Sequence, residues 1–155
     1  IHTIQEFQML LQRHAMAYAR TSVCLCGGIT GARKIAHIAE AHGALIVPHN
    51  PLSPVSTAAC MQVAATVENL AIQELPDHEG ISATERYTST DRMDQRSFRQ
   101  SDMVTWVPRV ENGFALLPDA PGIGVELVDN AETLFPFKRR TINTRLHVDG
   151  SIVDQ

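Results

Sequence analysis

Apolar residues in the first half of the chain come in two alternating patterns, a helical stripe and a short solid run. Phe7, Leu10, Leu11 and Met16 suit an amphipathic helix over residues 4–18. Val23, Cys24, Leu25 and Cys26, closed by Gly27 and Gly28, predict a buried strand over residues 23–26. Thr30 then reads as an N-cap, and Ile35, Ile38, Ala39 and His42 form one stripe of a helix over residues 30–42. Gly43 fits the left-handed position after that helix. Ala44, Leu45, Ile46 and Val47 form a second strand ended by Pro48, placed over residues 45–48. Ser53 and Pro54 are an N-cap and first-turn pair for a third helix, over residues 53–66. Leu70, Ala71 and Ile72 begin a third strand over residues 70–73. Helix and strand alternating in this way predict an α/β unit with parallel strands and right-handed crossovers.

Beyond Pro76 the pattern changes. Residues 77–102 are rich in Ser, Thr, Asp, Glu and Arg and read as a long polar loop or insertion. From Met103 onward short strands are expected. Residues 104–110 and 114–117 flank Glu111-Asn112-Gly113, where Asn-Gly is a strong hairpin signal. Three regions result: 1–76, 77–102 and 103–155.

Length then limits the architecture. The 155 residues make one domain, yet a complete (β/α)₈ barrel needs at least ~200. Thirteen Lys and Arg against seventeen Asp and Glu give a charge of −4, which argues against a nucleic-acid partner. No apolar run approaches the ~18 residues of a membrane span, and no signal peptide opens the chain. Three cysteines without zinc-like spacing predict reduced thiols in a cytoplasmic protein. The start at Ile1 instead of Met suggests a piece of something longer.

Parallel α/β folds place their sites in loops after strand C-termini. Gly27-Gly28, His49-Asn50 and Gln73-Glu74 stand at those points. Period-2 alternation puts Leu45, Val47 and His49 on one face, and Ser22, Cys24 and Cys26 on one face of the neighbouring strand. His49, between two prolines, is either a general acid or base or a structural histidine. Glu74 is a hydrogen-bond partner, a metal ligand, a second acid or a solvated strand end. Gly-Gly-Ile-Thr-Gly lacks the spacing of a phosphate cradle and reads as a close helix turn. His14, His37, His42 and His78 read as surface or helix-end residues, and Cys24 and Cys26 as small core fillers.

Three runs carry a family resemblance: Cys26-Gly27-Gly28-Ile29-Thr30-Gly31-Ala32-Arg33-Lys34-Ile35-Ala36, then Val47-Pro48-His49-Asn50-Pro51-Leu52-Ser53-Pro54-Val55-Ser56-Thr57-Ala58-Ala59-Cys60, then Leu70-Ala71-Ile72-Gln73-Glu74. Together they resemble the mandelate racemase/muconate lactonizing enzyme group of the enolase superfamily, close to its sugar-acid dehydratases. Pro121-Gly122-Ile123-Gly124-Val125-Glu126 is similar to a late motif of the same enzymes. The resemblance implies strands six to eight of a (β/α)₇β barrel, followed by a C-terminal capping segment. It implies chemistry that removes the proton α to a carboxylate and stabilises the enediolate on Mg²⁺. Ile1-His2-Thr3-Ile4-Gln5-Glu6-Phe7 resembles the segment after the third metal ligand, so the Mg²⁺ ligands are expected upstream of this chain and none within it.

The same resemblance makes His49 the seventh-strand acid or base and Glu74 the eighth-strand glutamate that hydrogen-bonds the substrate carboxylate or intermediate. Ser22 and Asn50 are the accompanying substrate-binding positions. The family's sixth-strand aspartate, partner of the histidine, is Ser22 here. A serine can orient an imidazole but cannot supply negative charge, which favours an acid role for His49. The implied parent is a hydro-lyase acting on a galactonate-like sugar acid. The alternatives are an inactive fragment that folds by self-association, or part of a racemase or cycloisomerase. A partial barrel with open edges predicts a homo-oligomer.

Overall fold

A computed structural model of the chain describes residues 1–50, 53–75, 100–137 and 147–151. Helix α1 spans Ile4–Leu11 and opens on a capping box, with Thr3 Oγ1 accepting from the Glu6 amide and Glu6 accepting from the Thr3 amide. It ends well short of residue 18. His14 takes a left-handed conformation, and the amides of His14 and Ala15 close back onto Leu11 and Leu10. The residues after this turn are extended.

The first strand, β1, is therefore Tyr18–Ala19 and not residues 23–26. It pairs in parallel with β2, Leu45–Ile46, in the register Tyr18 with Leu45 and Ala19 with Ile46. Amides of Leu45, Val47 and His49 donate to Ala17, Ala19 and Thr21, so the ladder continues to His49 and sets Ser22 opposite it. Residues 23–27 instead form a turn, because Leu25 and Cys26 both donate to the Ser22 carbonyl and Gly28 to that of Val23. The expected alternation of Ser22, Cys24 and Cys26 fails there. Cys26 is buried but Cys24 is exposed, so only the former fills the core.

Helix α2, Gly28–Ala41, starts two residues before Thr30 with Gly27 as its left-handed N-cap. A Cβ on Gly31 would collide with the carbonyl oxygen of Cys26, so the glycine lets the helix start directly on the preceding turn. At the other end Gly43 is left-handed, and the Ala44 amide reaches the Ala39 carbonyl as a Schellman motif requires. Helix α3, Pro54–Ala64, has Ser53 as N-cap, accepting from the Ser56 amide, and Pro54 in its first turn. Leu70 makes a parallel bridge to Ile46, so β2 lies between β1 and this third segment.

One face of the sheet packs on the helices. Phe7 and Leu11 from α1, Ala32, Ile35, Ala36 and Ala39 from α2, Cys60 and Val63 from α3, and Ala19 and Ile46 from the strands form one buried cluster. Buried Asn69 donates to the carbonyls of Ala36 and Ala44, both at 3.0 Å, tying the third segment to both ends of the α2–β2 connection.

A 3₁₀ turn, Gln100–Met103, opens the later part. Val104 bridges Leu127 in antiparallel fashion. The expected hairpin forms between β3, Val110–Glu111, and β4, Phe114–Ala115, around Asn112 and Gly113, both left-handed. It is far shorter than residues 104–117. Helix α4, Ala131–Leu134, follows. The Gln62 side chain of α3 donates to the Ile123 carbonyl, which seats the Pro121–Glu126 turn on the α/β unit. Residues 77–99, including His78, lie outside the described residues.

Candidate active site

The site forms where β1, β2 and the Leu70 segment end. His49 reaches this mouth because the ladder to Thr21 fixes its backbone at 2.8 Å, while the Cys60 thiol lies 4.0 Å from its carbonyl oxygen. The imidazole-bearing residue is half-buried. Burial pushes the Cys60 thiol up to about 11, which keeps it a neutral packing group and not a nucleophile.

Glu74 comes to the same place. The backbone N–H of Asn50 donates to Glu74 Oε2 at 2.8 Å. Arg20, on the extension of β1, sets Nη2 3.0 Å from both carboxylate oxygens. Burial opposes ionisation of Glu74, but the Asn50 amide, the Arg20 guanidinium and the charge of nearby His49 outweigh it and hold the carboxyl below its ordinary range. Sequence reasoning missed Arg20. Its signal was alternation along the true strand, since Tyr18, Arg20 and Ser22 share one parity.

The accompanying residues are arranged otherwise than expected. Asn50 is fully buried, and its Nδ2 donates to Thr57 Oγ1 at 2.6 Å, so it meets Glu74 through its backbone and α3 through its side chain. Ser22 stands in register with His49, but its buried hydroxyl hydrogen-bonds none of the described residues, the imidazole included. The Thr21 hydroxyl and the Asn50 Oδ1 are likewise buried and without a hydrogen-bond partner among the described residues.

These residues do not fit Mg²⁺. That ion takes near-octahedral oxygen ligation, and among the described residues the carboxylate at the mouth, Glu74, is already covered by a guanidinium and an amide. No three His, Cys, Asp or Glu side chains among the described residues converge on one point. No helix among the described residues is long and apolar enough to cross a membrane.

Known proteins share this arrangement of strands. The D-galactonate dehydratase of Variovorax paradoxus is 31% identical over 153 residues, 96% of this chain and 37% of the relative. The chain thus spans little more than a third of the length of that relative. An enolase from Agrobacterium radiobacter with bound Na and L-malate superposes with a TM-score of 0.72 at 28% identity, over 98% of this chain and 38% of the other. An enolase from Pantoea ananatis with bound D-gluconate and Mg gives 0.66 at 26% identity, over 87% and 29%. Residues 1–131 match the model of the enolase C-terminal domain-like family, and the chain, with its TIM-barrel-like succession of parallel strands and helices, belongs to that family.

Proposed function

We propose that the chain is the C-terminal part of a Mg²⁺-dependent sugar-acid dehydratase that eliminates water from a galactonate-like acid. One observation carries the reading: His49 and Glu74, from different strands, are drawn to one mouth by the Asn50 N–H bond to Glu74. In this reading residues 1–76 are the end of a barrel, 77–102 an insertion and 103–155 a capping segment. The cation belongs to residues upstream, and no step here passes through it.

Dehydration breaks the α C–H bond and the β C–O bond, forms an enol that becomes a 2-keto-3-deoxy acid, and releases one water. His49 suits the second bond. An imidazole can give its proton to the departing hydroxyl near neutral pH. With Ser22 in register instead of the family's aspartate, and no hydrogen bond from its hydroxyl among the described residues, His49 lacks the dyad that would make it a base. The α-proton is then taken by a group outside the described residues. The decisive experiment is His49→Asn in the full-length protein that carries this segment, assayed for 2-keto-3-deoxy product from aldonic acids. Loss of ~10²–10⁴-fold in kcat is expected for an acid–base residue. Undiminished turnover removes the assignment.

A second reading is a self-associating fragment without catalysis. It is favoured by apolar side chains left exposed on the strands, where Tyr18, Leu45 and Ile72 are 59%, 39% and 65% exposed.

A further inference from the structure

We propose that Arg20 is the positioning residue that keeps Glu74 an anion, so that Glu74 meets a ligand as a hydrogen-bond acceptor and not as a proton donor. Its geometry stands on its own; only the ligand it implies rests on the sugar-acid reading above.

Among the described residues, the groups that touch the Glu74 carboxylate are donors with no acceptor capacity. The Asn50 N–H reaches Oε2, and Arg20 Nη2 reaches both oxygens from the opposite edge strand. Protonating the carboxyl would weaken the charge-assisted hydrogen bonds that these donors make to the anion. Among the described residues His49, at the end of β2, also lies near Glu74 and acts on it electrostatically in the direction that favours the anion. From the Glu74 segment itself, the Gln73 side chain donates to the main-chain oxygen of Glu74 and leaves the carboxylate alone. The groups from β1 and β2 therefore push the same way.

The consequence is chemical. A carboxylate or enediolate of a ligand placed against ionised Glu74 meets like charge. A hydroxyl does not, because it can donate into the oxygen lone pairs left free by Arg20 and Asn50. Glu74 therefore suits the polyhydroxylated part of an acid substrate, with the acid group elsewhere.

The test follows the Glu74 side-chain carboxyl through an acid titration by carbon NMR in the full 155-residue chain. The resonance is assigned by its loss in Glu74→Gln. The midpoint should move upward in Arg20→Gln and return toward the parent value in Arg20→Lys, which keeps the charge. An unmoved midpoint in Arg20→Gln overturns the proposal, and so does an equal rise in both variants. If Arg20→Gln does not fold, Arg20→Lys decides alone: a midpoint at the parent value supports charge control, and one at the level of free glutamate overturns it. No turnover is needed, so this result and that of the His49→Asn assay fail independently.

Discussion

The backbone N–H of Asn50 and the carboxylate of Glu74 are 2.8 Å apart across twenty-four residues of chain, and this bond joins the ends of two neighbouring parallel segments. It differs from the ion pair beside it in what its loss would leave. Arg20 is 55% exposed and can turn to water when Glu74 is removed. The Asn50 amide belongs to a fully buried residue and cannot.

Glu74→Gln, which retains an acceptor for that amide, should therefore change stability by less than ~1 kcal/mol, the usual scale of an exposed ion pair. Glu74→Ala strands the amide and should cost about 1 kcal/mol or more, at the low end of the ~1–3 for an unsatisfied donor because Glu74 is partly exposed. Since the folded protein holds Glu74 below its ordinary value, its contribution is complete above the unfolded value of ~4.3 and fades as pH falls through the lower folded one. Urea midpoints against pH should show a slope on that acid side that is shallower in Glu74→Gln. Equal slopes would mean that the carboxylate is not held as an anion.

Gly31→Ala sets two effects against each other. Alanine improves helix propensity by ~1 kcal/mol, yet the new methyl would meet the Cys26 carbonyl oxygen, which belongs to backbone fixed by its own turn. Forced overpacking costs ~1–3 kcal/mol, so the clash should win and the urea midpoint should fall. A rise would show that the 22–27 turn yields freely.

That turn also explains where sequence reasoning succeeded and failed. Helix α3 was legible because Ser53 and Pro54 act locally, and Gly43 because a left-handed residue is a local demand. The hairpin tip at Asn112-Gly113 was legible for the same reason. Strand β1 was not, because Tyr18 and Ala19 carry no strand pattern of their own. Pairing with Leu45 and Ile46 extends them, while the more apolar run at 23–26 is bent by three bonds back to Ser22 and Val23. His49 and Glu74 stood at strand ends in any register. Arg20 became visible only with β1 in its true place.

The capping box of α1 gives a second acid signature. Amides of His2 and Thr3 and the Thr3 hydroxyl all donate to Glu6, and hold its carboxyl down to about 2. The cap is then intact above the unfolded value of ~4.3 and is lost as pH falls toward 2. Thr3→Ala should cost ~1 kcal/mol at neutral pH. Helical circular dichroism of Glu6→Gln should decline less over the acid window than that of the parent chain. A parallel decline in both would place the acid sensitivity elsewhere.

Assembly follows from the sheet itself. β2 lies between β1 and the Leu70 segment, so among the described residues both flanking strands are edges. Tyr18 and Leu45 are neighbours in register and stay exposed on the face turned away from the helices, with Ile72 exposed on the adjoining segment. Water against contiguous apolar surface costs ~25 cal/mol per Å², and open edges offer unpaired backbone to any second strand. A symmetric pair would hide the same patch on both copies at once. The chain should therefore sediment as a concentration-dependent dimer at micromolar levels. Leu45→Glu places a charge at the centre of that face without touching the helix-packed side, where Ile46 is buried. It should shift the equilibrium toward monomer while helical circular dichroism stays unchanged. A parent chain that remains monomeric and binds no apolar dye would show that this face is closed in some other way.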